Sequence, residues 1–132
     1  MAGHIKIQIE KIEVQAVNTK INSEIFTEFQ KKCKENNLQM CVVIETFCRQ
    51  YANGKYDIRE EDILKWEDDN GKTSILNTPI NKSVYCRFKE MVKANGYYVK
   101  YVLSAFIEDY AKSELVLEFV RTKSDVDSKG VE

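Results

Sequence analysis

Two stretches of this chain run through the same succession of hydrophobic periodicities. Val17, Thr19 and Ile21 alternate with Ala16, Asn18 and Lys20, the period-2 pattern of a short strand with one covered face. Asn22 follows where a helix N-cap belongs, and Ile25, Phe26, Phe29 and Cys33 then recur at helical spacing. Asn37 stands at the end of that helix, and asparagine is second only to glycine in tolerating the left-handed conformation of a C-cap. Met40, Val43, Ile44, Phe47, Cys48 and Tyr51 mark the apolar stripe of a second helix. The same succession returns with Asn81 as the cap and Val84, Tyr85, Phe88 and Val92 on the first helix. Gly96 takes the C-cap, and Val99, Val102, Leu103, Phe106, Ile107 and Tyr110 line the second helix.

The recurrence is a duplication. A shift of 59 residues lays 17–52 on 76–111 without a gap and with 11 of 36 positions identical, where unrelated segments would share roughly 2. The identities are Asn18/Asn77, Thr19/Thr78, Ile21/Ile80, Asn22/Asn81, Phe29/Phe88, Lys34/Lys93, Asn36/Asn95, Val43/Val102, Phe47/Phe106, Tyr51/Tyr110 and Ala52/Ala111. A strand and two helices, about 36 residues, cannot bury their apolar faces alone, whereas two copies can complete one another. The expected fold is therefore α+β: an antiparallel two-stranded ribbon covered on one face by four helices. The 132 residues divide as a single domain into repeat 1 (11–53), a linker (54–70), repeat 2 (71–113) and a C-terminal strand and tail (114–132). HIKIQIE near the start and LVLEFVR near the end are β-prone and are expected as extra strands, with SDVDSKGVE as a disordered tail.

Charge changes the picture only locally. The net charge is −1, yet residues 53–70 hold seven acids (Asp57, Glu60, Glu61, Asp62, Glu67, Asp68, Asp69) against three bases (Lys55, Arg59, Lys65), leaving +3 on the rest. A mildly basic body with an acidic strap is expected, the strap solvated and Ile63, Leu64 and Trp66 available for a helical turn against the body. Apolar runs such as Met40 to Ile44 are too short to span a bilayer, and the N-terminus lacks a signal-peptide core, so the expected location is the cytoplasm.

Candidate chemistry is sparse. Four cysteines include no CxxC pair, and His4 is the single histidine, so a zinc site or a nucleophile-histidine arrangement is hard to assemble. Cys33 and Cys48 align with Val92 and Ile107 and are expected to fill core positions, while Cys41 and Cys86 align with Lys100 and Thr27, outward positions. No nucleophile, base and oxyanion donor can be named together, so no enzyme, cofactor, metal or small-molecule ligand is expected.

The strand, polar cap, helix, KENN or KANG turn and second helix together resemble the ribbon-helix-helix (Arc/MetJ-type) DNA-binding proteins of bacteria, plasmids and phages. In that family two chains pair; here one chain carries both halves, as in tandem-repeat accessory proteins that bind the transfer origin of conjugative plasmids. The resemblance implies double-stranded DNA as the partner, with the ribbon in the major groove and its outward side chains reading bases. By alignment these readers are Ala16, Asn18 and Lys20 in the first copy and Ile75, Asn77 and Pro79 in the second. It also implies a DNA phosphate at the N-terminus of each second helix, beside Gln39, Met40 and Cys41 in one copy and Tyr98, Val99 and Lys100 in the other. Gln39 and Tyr98 replace the usual Ser or Thr cap. Pro79, lacking an amide donor, suggests that the second strand leaves the ribbon early.

The expected function is sequence-specific duplex binding by a repressor of plasmid or phage type, with self-association on adjacent sites. One alternative is an accessory protein that marks a transfer origin or centromere. Another is a protein-interaction module of the same fold that has lost DNA binding, which the near-neutral charge would suit.

Overall fold

The computed structural model describes residues 12–112. The expected terminal strands and tail lie outside the described residues. The chain runs β1 (Val14–Asn22), α1 (Ser23–Glu35), α2 (Met40–Ala52), α3 (Glu60–Leu64), a 3₁₀ turn (Lys65–Asp68), β2 (Thr73–Asn81), α4 (Lys82–Ala94) and α5 (Val99–Lys112). The described residues thus form an α+β fold with one two-stranded antiparallel sheet and five α-helices. The expectation of four helices is corrected by α3, which forms in the linker because Ile63 finds a buried seat there.

Local chemistry accounts for each helix boundary. The Asn22 side chain accepts from the amides of Glu24 and Ile25, at 2.9 and 3.3 Å, and Asn81 does the same for Val84 at 3.1 Å. At the far end, Asn37 and Gly96 adopt φ of +56° and +82°. Around them the Leu38 and Tyr97 amides donate back to the carbonyls of Cys33 and Val92, and the Asn37 and Gly96 amides to those of Lys34 and Lys93. Both first helices therefore close with the paired bonds of a Schellman motif.

The ribbon is in perfect register with the duplication. Asn18 pairs with Asn77, Val14 with Asn81 and Asn22 with Thr73. Exchanging the two copies maps this pairing onto itself, so an approximate twofold axis passes between Asn18 and Asn77. The core obeys the same axis. Phe47 stacks on its own counterpart Phe106 with centroids 4.0 Å apart and planes 11° from parallel. Phe29 meets Tyr110 at 5.5 Å, and its counterpart Phe88 meets Tyr51 at 5.4 Å. Asn36 donates to the Tyr110 hydroxyl at 2.8 Å, and Asn95 to that of Tyr51 at 2.9 Å. Helix α1 packs chiefly on α5, and α2 on α4, so each copy is completed by the other, as the small size of the single unit requires.

Pro79 does not end the second strand early. The bonds from the Lys82 amide to the Glu13 carbonyl and from the Ser23 amide to the Lys72 carbonyl fix the hydrogen-bonded pairs of the ladder. Counting along the register puts Pro79 and its partner Ala16 in a non-hydrogen-bonded pair, where an amide would point away from the other strand. The missing donor therefore costs no ladder bond, and β2 runs on to Asn81.

The linker is more than a solvated strap. Ile63 is buried, Trp66 half-buried, and the Tyr56 ring lies 5.0 Å from Phe47 and 5.7 Å from Phe106, edge-on to both. The Tyr56 hydroxyl donates to Asp109, and Lys65 pairs with Glu108. Glu60, Glu61, Glu67, Asp68 and Asp69 do remain in water. Because the linker exists once, it is the main break in the approximate symmetry.

Candidate nucleic-acid interface

Strand alternation gives the ribbon two unlike faces. Val17, Ile21, Leu76, Thr78 and Ile80 are buried under the helices, while Ala16, Asn18, Lys20, Ile75, Asn77 and Pro79 are all exposed on the other side. All six belong to non-hydrogen-bonded pairs, Ala16 with Pro79, Asn18 with Asn77 and Lys20 with Ile75. In such pairs the side chains stand closest, with Cα atoms about 4.5 Å apart. The structure thus collects the six residues expected as base readers into one strip.

At the centre of the strip, neither the Asn18 nor the Asn77 side chain has a hydrogen-bond partner among the described residues. Each leaves a carboxamide donor and acceptor free, the pair of groups that matches the N6 and N7 edge of adenine. Asn22 and Asn81, four residues on, are occupied as helix caps, and Asn22 also donates to the Asp69 carboxylate at 3.1 Å. Identical asparagines in the two copies therefore divide into a structural pair and an unengaged pair. The exposed face extends further than the six residues, since Val14 (64% exposed) and Thr73 belong to it as well. Continuing the period-2 count outward along each strand would have found both.

The expected phosphate contacts fall in two separate places, at the first turns of α2 and α5. Gln39 is extended and offers no side-chain cap, and its carbonyl accepts from Val42 and Val43. The amides of Met40 and Cys41 are then left at the helix end, where the dipole is positive. The Tyr98 carbonyl receives Tyr101 and Val102 in the same way. The side chains of Met40 and Val99 are partly buried and pack against the core, as their place on the apolar stripe leads one to expect, so a phosphate contact there falls to the main-chain amides. Tyr98 is 70% exposed, and the exposed Lys100 lies with Nζ 6.0 Å from the Tyr101 ring. The α5 end thus offers a cation and a phenol, whereas the α2 end offers the exposed Gln39 carboxamide beside its main-chain amides.

Sequence reasoning missed two contacts that hold the ribbon to its scaffold. The Glu45 carboxylate accepts from the Asn81 amide at 2.6 Å, and the Ser23 and Ser74 hydroxyls share a bond of 2.8 Å. No sequence signal marks Glu45, because its counterpart is Ser104 and the contact exists in one copy only.

Elsewhere, a cleft of about 490 Å³ between the linker and α5 is lined by Asp57, Arg59, Asp62, Lys65, Glu108 and Lys112 among others. Its charges largely satisfy one another through Arg59–Asp62, Lys65–Glu108 and Lys112–Glu108. No group of three metal-ligating side chains exists among the described residues, and no helix there is long and apolar enough to cross a membrane. Compared with known proteins, the sequence matches no family model, and no curated protein or solved structure matches it. The functional reading therefore rests on the ribbon's own geometry.

Proposed function

We propose that the chain is a tandem ribbon-helix-helix protein that binds duplex DNA sequence-specifically, with its ribbon in the major groove, and acts as a transcriptional repressor. The observation that carries this reading is the strip of three exposed residue pairs, with two unengaged asparagines meeting on the approximate twofold axis. A two-stranded ribbon fits the groove, which is about 12 Å wide. Helix packing buries Val17, Ile21, Leu76, Thr78 and Ile80 on its other face, seating the ribbon on a packed scaffold of the kind that base readout needs. The open amides of α2 and α5, with Lys100 and Tyr98, suit backbone phosphates on either side. The same contact would serve a protein that marks a transfer origin or centromere for a larger assembly.

A protein-binding module is the second reading, favoured by one observation: the exposed face carries Val14 and Ile75, 64% and 62% exposed, and Lys20 as its one cation. Salt dependence separates the two. For a duplex binder that neutralises about three phosphates, the logarithm of the association constant falls with log salt at a slope of about −2.7. Duplex binding that is weak and indifferent to salt would move the weight to a protein partner.

A further inference from the structure

Resting on the DNA-reading proposal, we infer that the ribbon reads its site in one direction only, with Lys20 and Ile75 as the specificity-determining end and Ala16 and Pro79 as a mute one. The argument starts from the register. Under the duplication Lys20 is equivalent to Pro79 and Ala16 to Ile75, but the antiparallel pairing sets Lys20 beside Ile75 and Ala16 beside Pro79. The differences between the copies on this face, Lys20/Pro79, Ala16/Ile75 and the marginal Val14/Thr73, therefore do not scatter along the ribbon. They concentrate at its two ends, and in opposite senses.

The chemistry of the ends then differs in kind. Lys20 supplies an ammonium that can donate to guanine O6 and N7, and the adjoining Ile75, 62% exposed, supplies an apolar surface for a thymine methyl. Ala16 and Pro79 hold no side-chain donor or acceptor and offer only small apolar surfaces. The main chain there points one amide outward, that of Ala16, because Pro79 has none, whereas Lys20 and Ile75 point two. The central Asn18 and Asn77 are chemically equal, so they cannot set a direction by themselves.

Acids flank both ends: Asp69 is tied to Asn22 beyond Lys20 and Ile75, while Glu45 takes the Asn81 amide and Glu13 pairs with Lys82 beyond Ala16 and Pro79. Direction is therefore set by the side chains of the end pairs themselves.

Spacing turns this into a measurable pattern. Two residues of strand span about 6.8 Å, which is about two base pairs at a rise of 3.4 Å. The site is then a central adenine-containing step with a constrained guanine about two base pairs to one side, and no matching constraint on the other.

The test is selection of duplexes from a random pool with wild type, with Lys20→Ala, and with the double variant Ala16→Ile, Pro79→Lys, which gives both ends the same pair. Neither added side chain is buried, and an amide restored at position 79 points away from the ladder; thermal unfolding checks that all three are folded. Wild type should select a non-palindromic motif. Lys20→Ala should lose roughly tenfold preference at the one flanking position and keep the centre. The double variant should select a palindrome. A palindromic motif from wild type, or a motif that Lys20→Ala leaves intact, overturns the directional reading while leaving DNA binding in place. No motif from wild type overturns both.

Discussion

At the residue scale, the duplication explains why certain side chains were kept. Phe47 and Phe106 stack across the approximate axis and both are fully buried, so Phe47→Ala opens a cavity that no neighbour can fill. About 4 kcal/mol of stability should be lost in urea titration. Asn36→Ala leaves the buried Tyr110 hydroxyl without its donor and should cost about 1–2 kcal/mol, with Asn95→Ala matching it through Tyr51. These polar and aromatic identities were visible in the sequence, but their pairing was not, because each partner lies in the other copy. The cysteines give a pH prediction. Burial pushes the Cys33 thiol up to about 11 from an ordinary 9.0, and burial also raises Cys48. Both acids are neutral when folded and would ionise sooner when unfolded. Stability should therefore be unaffected below pH 9 and fall as pH rises above it. The double variant Cys33→Val, Cys48→Ile, which borrows the residues of the other copy, should flatten that fall; an unchanged alkaline decline would locate it elsewhere. Tyr56 shares the direction, its phenol raised first by burial and then by Asp109.

At the element scale, caps and turns were the most legible feature, because they depend on local chemistry alone. Asn22 and Asn81 cap as expected, and Asn37 and Gly96 take the left-handed position. Replacing Gly96 with Ala, where φ is +82° and no neighbouring atom intrudes, should destabilise by about 1 kcal/mol through backbone strain alone. Asn37→Gly, at the matching position, should be neutral or mildly stabilising, and calorimetry on the two variants gives the comparison. Pro79 misled because a proline's cost depends on which pair of the ladder it occupies, and that parity follows from partner strand and register rather than from the residue itself. The linker was legible in part. The turn that seats Ile63 on the body was foreseen, whereas the place of Tyr56 against Phe47 and Phe106 needed a core that only the folded repeats create.

At the scale of the whole molecule, the cross-packing of α1 on α5 and α2 on α4 leaves no half that is complete by itself. Heat or urea should unfold the chain in one cooperative transition, with fluorescence of Trp66 and far-ultraviolet circular dichroism coinciding. Two separated transitions would show that the copies are independent. The covered face of the ribbon and its fusion to the helices are what make the opposite strip rigid, and the strip was legible in advance because alternation alone assigns strand faces. What alternation could not supply was its polarity, which comes from the antiparallel pairing of unlike residues. The claim that this strip reads DNA is tested most directly by selecting duplexes from a random pool at moderate salt, in parallel with wild type and with Asn18→Ala, Asn77→Ala. Both asparagines are exposed and unpartnered, so the variant should unfold within about 0.5 kcal/mol of wild type. Wild type is predicted to enrich one short motif, which the variant loses at its centre; enrichment of the same motif by both proteins, or of none by wild type, would contradict it.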